Sequence, residues 1–155
     1  MTSDIRDSTQ ATAIWVEHQM LEHIKNALRV TVSWTAPSIG VARKRSSVSF
    51  AMKSFQRHLE RLMGIEEEGG YMFMVADAKP NMQHRISRLR EEHEAFRREV
   101  DDLIQSLDEL TEWQEDEFEQ ICNEIKGLLD HVDKHDQAEV LLLQETLLCD
   151  EGGEG

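Results

Sequence analysis

Apolar side chains return along this chain at alternating three- and four-residue spacings, the signature of one buried helical face. The longest stripe runs Met82, Ile86, Leu89, His93, Phe96, Val100, Leu103, Leu107, Leu110, and eight of its nine positions are apolar. A second runs Val48, Met52, Phe55, Leu59, Leu62 and ends on Glu66. A third runs Phe118, Ile121, Ile125, Leu128, Val132, then His135, Glu139 and Leu142. Nearer the start, Val16, Met20, His23, Ala27 and Val30 form a shorter one. Four stripes predict four helices, each turning one face inward.

Punctuation residues set the ends. The first helix is expected from about Ala11 to Trp34, stopping before Ala36-Pro37, because a residue preceding proline is pushed out of helical geometry. A loop with Gly40 follows, and Ser46 or Ser47 reads as the cap of the second helix, which runs to Glu68 and stops at Gly69-Gly70. Residues 71–80 read as a connection with room for a short helical turn. The third helix starts near Asn81 and reaches Leu110; Thr111-x-x-Gln114 reads as a capping box opening a fourth that runs to about Leu148. Residues 1–10 and 150–155 are read as flexible tails around one domain at 11–149. Amphipathic helices joined by short connections pack most economically as an all-α, up-down-up-down four-helix bundle. A paired coiled coil competes, since the third stripe is a strict heptad, but the other stripes keep that pattern less cleanly.

Composition narrows the function classes. At 155 residues the chain is large enough for a real core, and only two prolines interrupt it. No apolar run approaches the roughly 20 residues of a membrane span, and the polar start lacks a signal-peptide pattern, so membranes are not expected as partners and the cytoplasm is the expected location. A net charge of −14 argues against nucleic acid. It is uneven: the segment 101–124 holds ten acids and no Lys or Arg, while Arg43, Lys44 and Arg45 cluster. Both read as solvated surface. Cys122 and Cys149 fall on one expected helix about 40 Å apart, beyond disulfide reach.

The chemistry lies in what interrupts the stripes. A buried unpaired polar group costs roughly 2–7 kcal/mol. Yet His23, Glu66, His93, His135 and Glu139 all fall on expected inward faces, and His135 and Glu139 sit one turn apart, where they can share an ion. A lone core histidine is ordinarily hydrogen-bonded to a neighbour. Several imidazoles and carboxylates on facing stripes need a complete network or a metal. The mixed nitrogen and oxygen donors suit iron, manganese or zinc. Met52, Met63, Met72, Met74 and Met82 read as core filler. Trp15, Trp34 and Trp113 read as packing or interface anchors, leaving a homodimer open. Tyr71 is placed to reach the bundle mouth and hydrogen-bond a ligand.

The run Glu66-Glu67-Glu68-Gly69-Gly70-Tyr71, the Glu92-His93 pair, and His135-Asp136-Gln137-Ala138-Glu139 followed by Leu142-Leu143-Gln144 resemble the hemerythrin-like, HHE cation-binding family over roughly residues 16–150. The resemblance implies a four-helix bundle holding a non-heme di-iron centre, with several histidines and two bridging carboxylates, that binds oxygen or acts in iron, redox or nitric-oxide responses. It implies His23 as first-helix ligand, Glu66 and Glu139 as the bridging carboxylates, and His93 and His135 as further ligands. The chain departs from the pattern twice, with Leu62 and Leu89 where the family places imidazoles. His58 and His131, each one turn from a ligand slot, are the substitutes, and His58 is the better of them because Phe55, Leu62 and Ile65 flank it. His18 and His84 read as exposed.

The expectation is therefore a binding protein with an incomplete ligand set at His23, His58, Glu66, His93, His135 and Glu139, holding mono- or di-nuclear iron and oxygen or another small ligand. The alternative is a metal-free four-helix scaffold or interaction module, motivated by Leu62 and Leu89. No nucleophile–base pair or phosphate-binding glycine loop argues for an enzyme.

Overall fold

A computed structural model describes the backbone of residues 2–35 and 40–152, with side chains for 12–35 and 40–146. Four long helices, α1 (Thr2–Val32), α2 (Val41–Glu67), α4 (Gln83–Glu109) and α5 (Glu115–Gly152), enclose the core; short α3 (Tyr71–Ala78) and a 3-10 turn (Pro80–Met82) fill the connection at 71–82. Cross-helix bonds fix the directions. On α1 and α2, Glu17 meets His58 while Trp34 meets Lys44. On α2 and α4, Gln56 meets Asp101 while Glu67 meets His93. On α4 and α5, Arg85 pairs with Glu145 while His93 meets His135. Rising numbers on one helix meet falling numbers on the next in every case, so the topology is up-down-up-down.

The stripes on α2, α4 and α5 are buried as read, apart from half-buried Leu110 at the edge. The stripe on α1 is not. Val16, Met20, His23, Ala27 and Val30 face outward, and Leu21, Lys25, Leu28, Thr31 and Val32 face the core. This helix carries apolar residues on two faces, and periodicity alone does not say which one the bundle covers. Helix α1 also begins at Thr2, so most of the expected N-terminal tail is helical; α5 likewise runs on to Gly152, and Met1 and residues 153–155 lie outside the described residues.

Several boundaries move. Helix α2 starts at Val41 behind Gly40, whose φ of 77° suits glycine, rather than at a serine cap. The capping-box contact at Thr111 forms, its N–H donating to the Gln114 side chain at 2.9 Å, but α5 begins after Gln114, whose carbonyl accepts the first helical bond from Phe118. The basic cluster also works structurally. Arg45 donates to the Leu110 and Thr111 carbonyls at 2.9 Å each, satisfying acceptors left over at the C-terminal end of α4, and Lys44 lies over the Phe118 ring. Met52, Met63, Met72 and Met82 are core as expected, whereas Met74, Trp15 and Trp113 are exposed. Cys122 is buried and free; the Cys149 side chain lies outside the described residues.

The apolar interior is in two parts. A large cluster spans the middle and loop end of the bundle, from Val48 and Phe118 to Met63, Phe96 and Val132. A smaller one under α3 gathers Met72, Val75, Met82, Ile86, Leu89 and Leu142. Between them in register, on α2, α4 and α5, sit Glu66, His93, His135 and Glu139.

Candidate metal centre

Three helices build this polar layer. Glu66 closes the α2 stripe, His93 interrupts the α4 stripe, and His135 and Glu139 share one face of α5 because four residues make about one turn. All four are buried, and one donor atom from each lies within 4.8 Å of the others. The His93 and His135 Nε2 atoms are 3.0 Å apart; Glu139 Oε1 lies 2.6 Å from the second and 3.4 Å from the first. Phe96 packs edge-on against the His135 ring, walling the layer on the main-core side.

The far nitrogens explain why the near ones converge. His93 Nδ1 bonds Glu67 at 2.8 Å, and His135 Nδ1 bonds Glu92 at 2.6 Å. With Nδ1–H donated to a carboxylate, each imidazole offers the Nε2 lone pair to the centre, the arrangement that orients and strengthens metal-ligating histidines. Glu67 is itself held by Arg97, whose guanidinium donates to both its oxygens at 3.0 and 2.9 Å. Burial works to raise the Glu67 carboxyl, but the Arg97 and His93 contacts outweigh it and hold it below the usual range.

Inside the layer the two carboxyl groups are pushed in opposite directions. Burial, then the adjacent Glu139 carboxylate, pushes the Glu66 carboxyl up to about 11. Burial also opposes the charged form of Glu139, yet hydrogen bonds with His135 and His93 overcome it and hold that carboxyl below its ordinary range. His135 is raised for the reciprocal reason: burial would lower it, and Glu139 and Glu92 more than compensate. Two buried atoms have no hydrogen-bond partner among the described residues, Glu66 Oε2 and the Tyr71 hydroxyl. An unsatisfied buried acceptor costs about 1–3 kcal/mol. Two carboxylates and two neutral imidazoles carry a charge of −2, which a divalent cation neutralises. The donor set fits one such ion.

Tyr71 is brought here by Gly69 and Gly70. Gly69 turns the chain at a φ of 75°, and Gly70 lets α3 fold back tightly on the end of α2. Burial, then the charges on Glu139 and Glu66, raises the Tyr71 phenol, so it stays protonated and can only donate toward the layer.

Of the six residues expected in the site, four come together and two do not. His23 lies on the outer face of α1, for the reason given above. His58 is half-buried and bonds Glu17 at 3.0 Å between α1 and α2. His131 and His84 are exposed, and His18 is half-buried. What α1 turns inward is Lys25, which is 3 % exposed and donates to Asp133 at 2.8 Å and Asp136 at 3.2 Å, with Glu22 at 3.0 Å. Burial would lower this ammonium, but those carboxylates outweigh it and raise it. Removing one partner of such a buried set strands the others. A Lys25→Met protein should therefore lose about 2–3 kcal/mol in urea unfolding, at the low end for buried ion pairs because Asp133 and Asp136 keep some solvent. A loss under about 0.5 kcal/mol, ordinary for a surface change, would show the cluster to be incidental.

Sequence reasoning passed over Glu67, Glu92, Arg97 and Lys25. A usable signal existed for two of them. Neighbours on a helix point about 100° apart, so a carboxylate next to a stripe-end residue sits at the rim, where it can reach the back of a ligand on the next helix. Both Glu66-Glu67 and Glu92-His93 have that form.

The family model for the hemerythrin HHE cation-binding domain matches residues 9–145. No curated protein and no solved structure matches the chain.

Proposed function

This chain belongs to the hemerythrin HHE cation-binding family, and we propose that it binds a single divalent metal ion, iron as the resident one, through Glu66, His93, His135 and Glu139. The observation that carries this reading is the pair of imidazoles whose Nδ1 atoms are each tied to a carboxylate, while their Nε2 atoms converge on one point beside the partnerless Glu66 Oε2. Leu62 and Leu89 are buried apolar residues, and His23 and His58 lie elsewhere, which supports one ion over two.

When bound, such an ion supplies positive charge and open coordination to a small ligand such as oxygen. The protein's own part is to hold the ligand nitrogens in one tautomer, to wall the layer from water with Phe96 and Leu89, and to present the Tyr71 hydroxyl as a donor. That hydroxyl faces the Glu66 and Glu139 carboxyl groups without a hydrogen bond of ordinary geometry, so an oxygen-containing or anionic small ligand entering beside it can accept from it.

A metal-free scaffold is the competing reading, and the His135 ring bridging Glu92 and Glu139 favours it, because protons alone can bond that trio. Titrating the purified, chelator-stripped protein with Fe(II) without oxygen, and with Mn(II) and Zn(II), separates the two. The expected result is about one ion per chain, and less than about 0.2 would overturn the proposal. Protons and metal compete for both Glu66, which burial and Glu139 raise to about 11 and so keep protonated at neutral pH without an ion, and His135, which Glu139 and Glu92 raise above its ordinary value. Binding then releases them, and affinity should rise about tenfold or more per pH unit between about pH 6 and 8. Affinity that does not change with pH would exclude these ligands.

A further inference from the structure

The outer stripe of α1 has no packing partner among the described residues. Ala13, Val16, Met20, His23, Ala27 and Val30 follow strict three-four spacing, Trp34 continues it in sequence just past the end of α1, and none is buried. Val16 is 45 %, Met20 43 % and Val30 59 % exposed, with Trp15 beside them at 64 %. A face of this length spans about 32 Å. Apolar residues scattered singly on a surface need no explanation, but a continuous heptad seam does.

Charge says what can cover it. The chain carries −14, so most of its surface repels a second copy. Along this face the flanking Thr12, Gln19, Asn26 and Ser33 are uncharged. The four charged side chains between residues 12 and 34 are all committed within the chain: Glu17 to His58 and Arg61, Glu22 to Lys25, Lys25 also to Asp133 and Asp136, and Arg29 to Asp130 and Asp133. A strongly basic partner would find no free acid here. Another seam of the same spacing, apolar and uncharged, meets no repulsion.

We infer that the outer face of α1 is the interface of a homodimer, packed against the same face of a second copy about a twofold axis near His23. An antiparallel arrangement sets the Trp34 end of one seam against the Ala13 end of the other, large against small, whereas a parallel pair would stack Trp34 on itself. Such an interface is self-complementary and closed, so it stops at two. It also accounts for the apolar character of a stripe that the bundle leaves outside. The metal layer is on the other side of α1, and the inference does not depend on it.

Sedimentation equilibrium of the full chain tests the proposal directly. The expected wild-type mass is twice 17.9 kDa. Met20→Glu and Val30→Glu each place two like charges in the seam and should raise the dissociation constant at least about 100-fold, with helical circular dichroism unchanged because both sites are exposed in one copy. Trp113→Glu, on an exposed tryptophan in the α4–α5 turn, should leave the dimer intact. A wild-type monomer at micromolar concentration would overturn the second copy as occupant. A dimer that survives both seam substitutions, or that Trp113→Glu dissociates, would overturn the surface.

Discussion

Replacing His135 with leucine should lower metal affinity more than about 100-fold, beyond the 10–100-fold that follows loss of an outer-shell partner, while costing the metal-free protein about 1–3 kcal/mol. The two halves have separate causes. His135 supplies an Nε2 donor and is the strongest partner of Glu139, so without it the layer keeps three donors and loses the contact that holds Glu139 ionised. In the metal-free state the same imidazole is bonded to Glu92, Glu139 and His93, so the substitution leaves the buried Glu139 carboxyl short of a partner, a cost limited because an apolar side chain packs against Phe96 and Glu139 can take up a proton. Thermal unfolding with and without ion reads both. A bound ion at about 1,000 times its dissociation constant stabilises by about 4 kcal/mol, and that increment should disappear in the variant. If chelator lowers the melting temperature of wild type and variant equally, His135 is not a ligand.

The second large effect is expected at Gly70. A Cβ built there falls 2.3 Å from the Ile65 carbonyl oxygen and 2.6 Å from that of Glu66, both backbone atoms that cannot swing aside. Gly70→Ala must therefore push α3 away from the end of α2, at about 2–4 kcal/mol, in the range of other overpacking and strain substitutions. The displacement carries Tyr71 with it. Since the chain has one tyrosine, phenolate absorbance follows this group alone. In the wild type it should ionise only on alkaline unfolding, because burial and the Glu139 and Glu66 charges raise it. In the variant it should ionise in the ordinary phenol range. Gly69→Ala is the control: its Cβ meets nothing, so only the strain of a positive φ remains, about 1–2 kcal/mol. Equal losses at the two glycines would mean that close approach at Gly70 is unimportant.

Three of the four helical faces were readable from spacing because α2, α4 and α5 each have one apolar face and one charged one. Helix α1 has two apolar faces, and the sequence contains no statement of which is nearer. Choosing the cleaner heptad selected the outer one and placed His23 inside, where Lys25 is. The four clustered donors were legible for a plain reason: each breaks an otherwise apolar run, and only a core position makes such a break conspicuous. Glu67 and Glu92 were not, since a carboxylate at the rim of a helix looks like any solvated acid until the next helix puts an imidazole in front of it. Tyr71 was legible as a residue near the mouth, but its depth depends on how tightly Gly70 folds the chain, a fact of backbone contact with no periodic trace.

The division of the interior into two unequal apolar clusters, twenty buried residues against six among those described, has a kinetic meaning. The small cluster under α3 can come apart at a fraction of the free energy needed to unfold the large one, since opening cost follows the surface exposed. For the ion proposed above, the route to the layer that exposes least apolar surface is to lift this end while the long helices stay paired. Once seated, it joins α2 to α4 and α5 where that end would hinge. Loading and release are thus paced by the α3 end, and slow amide exchange in that end is the quantity a bound ion changes most.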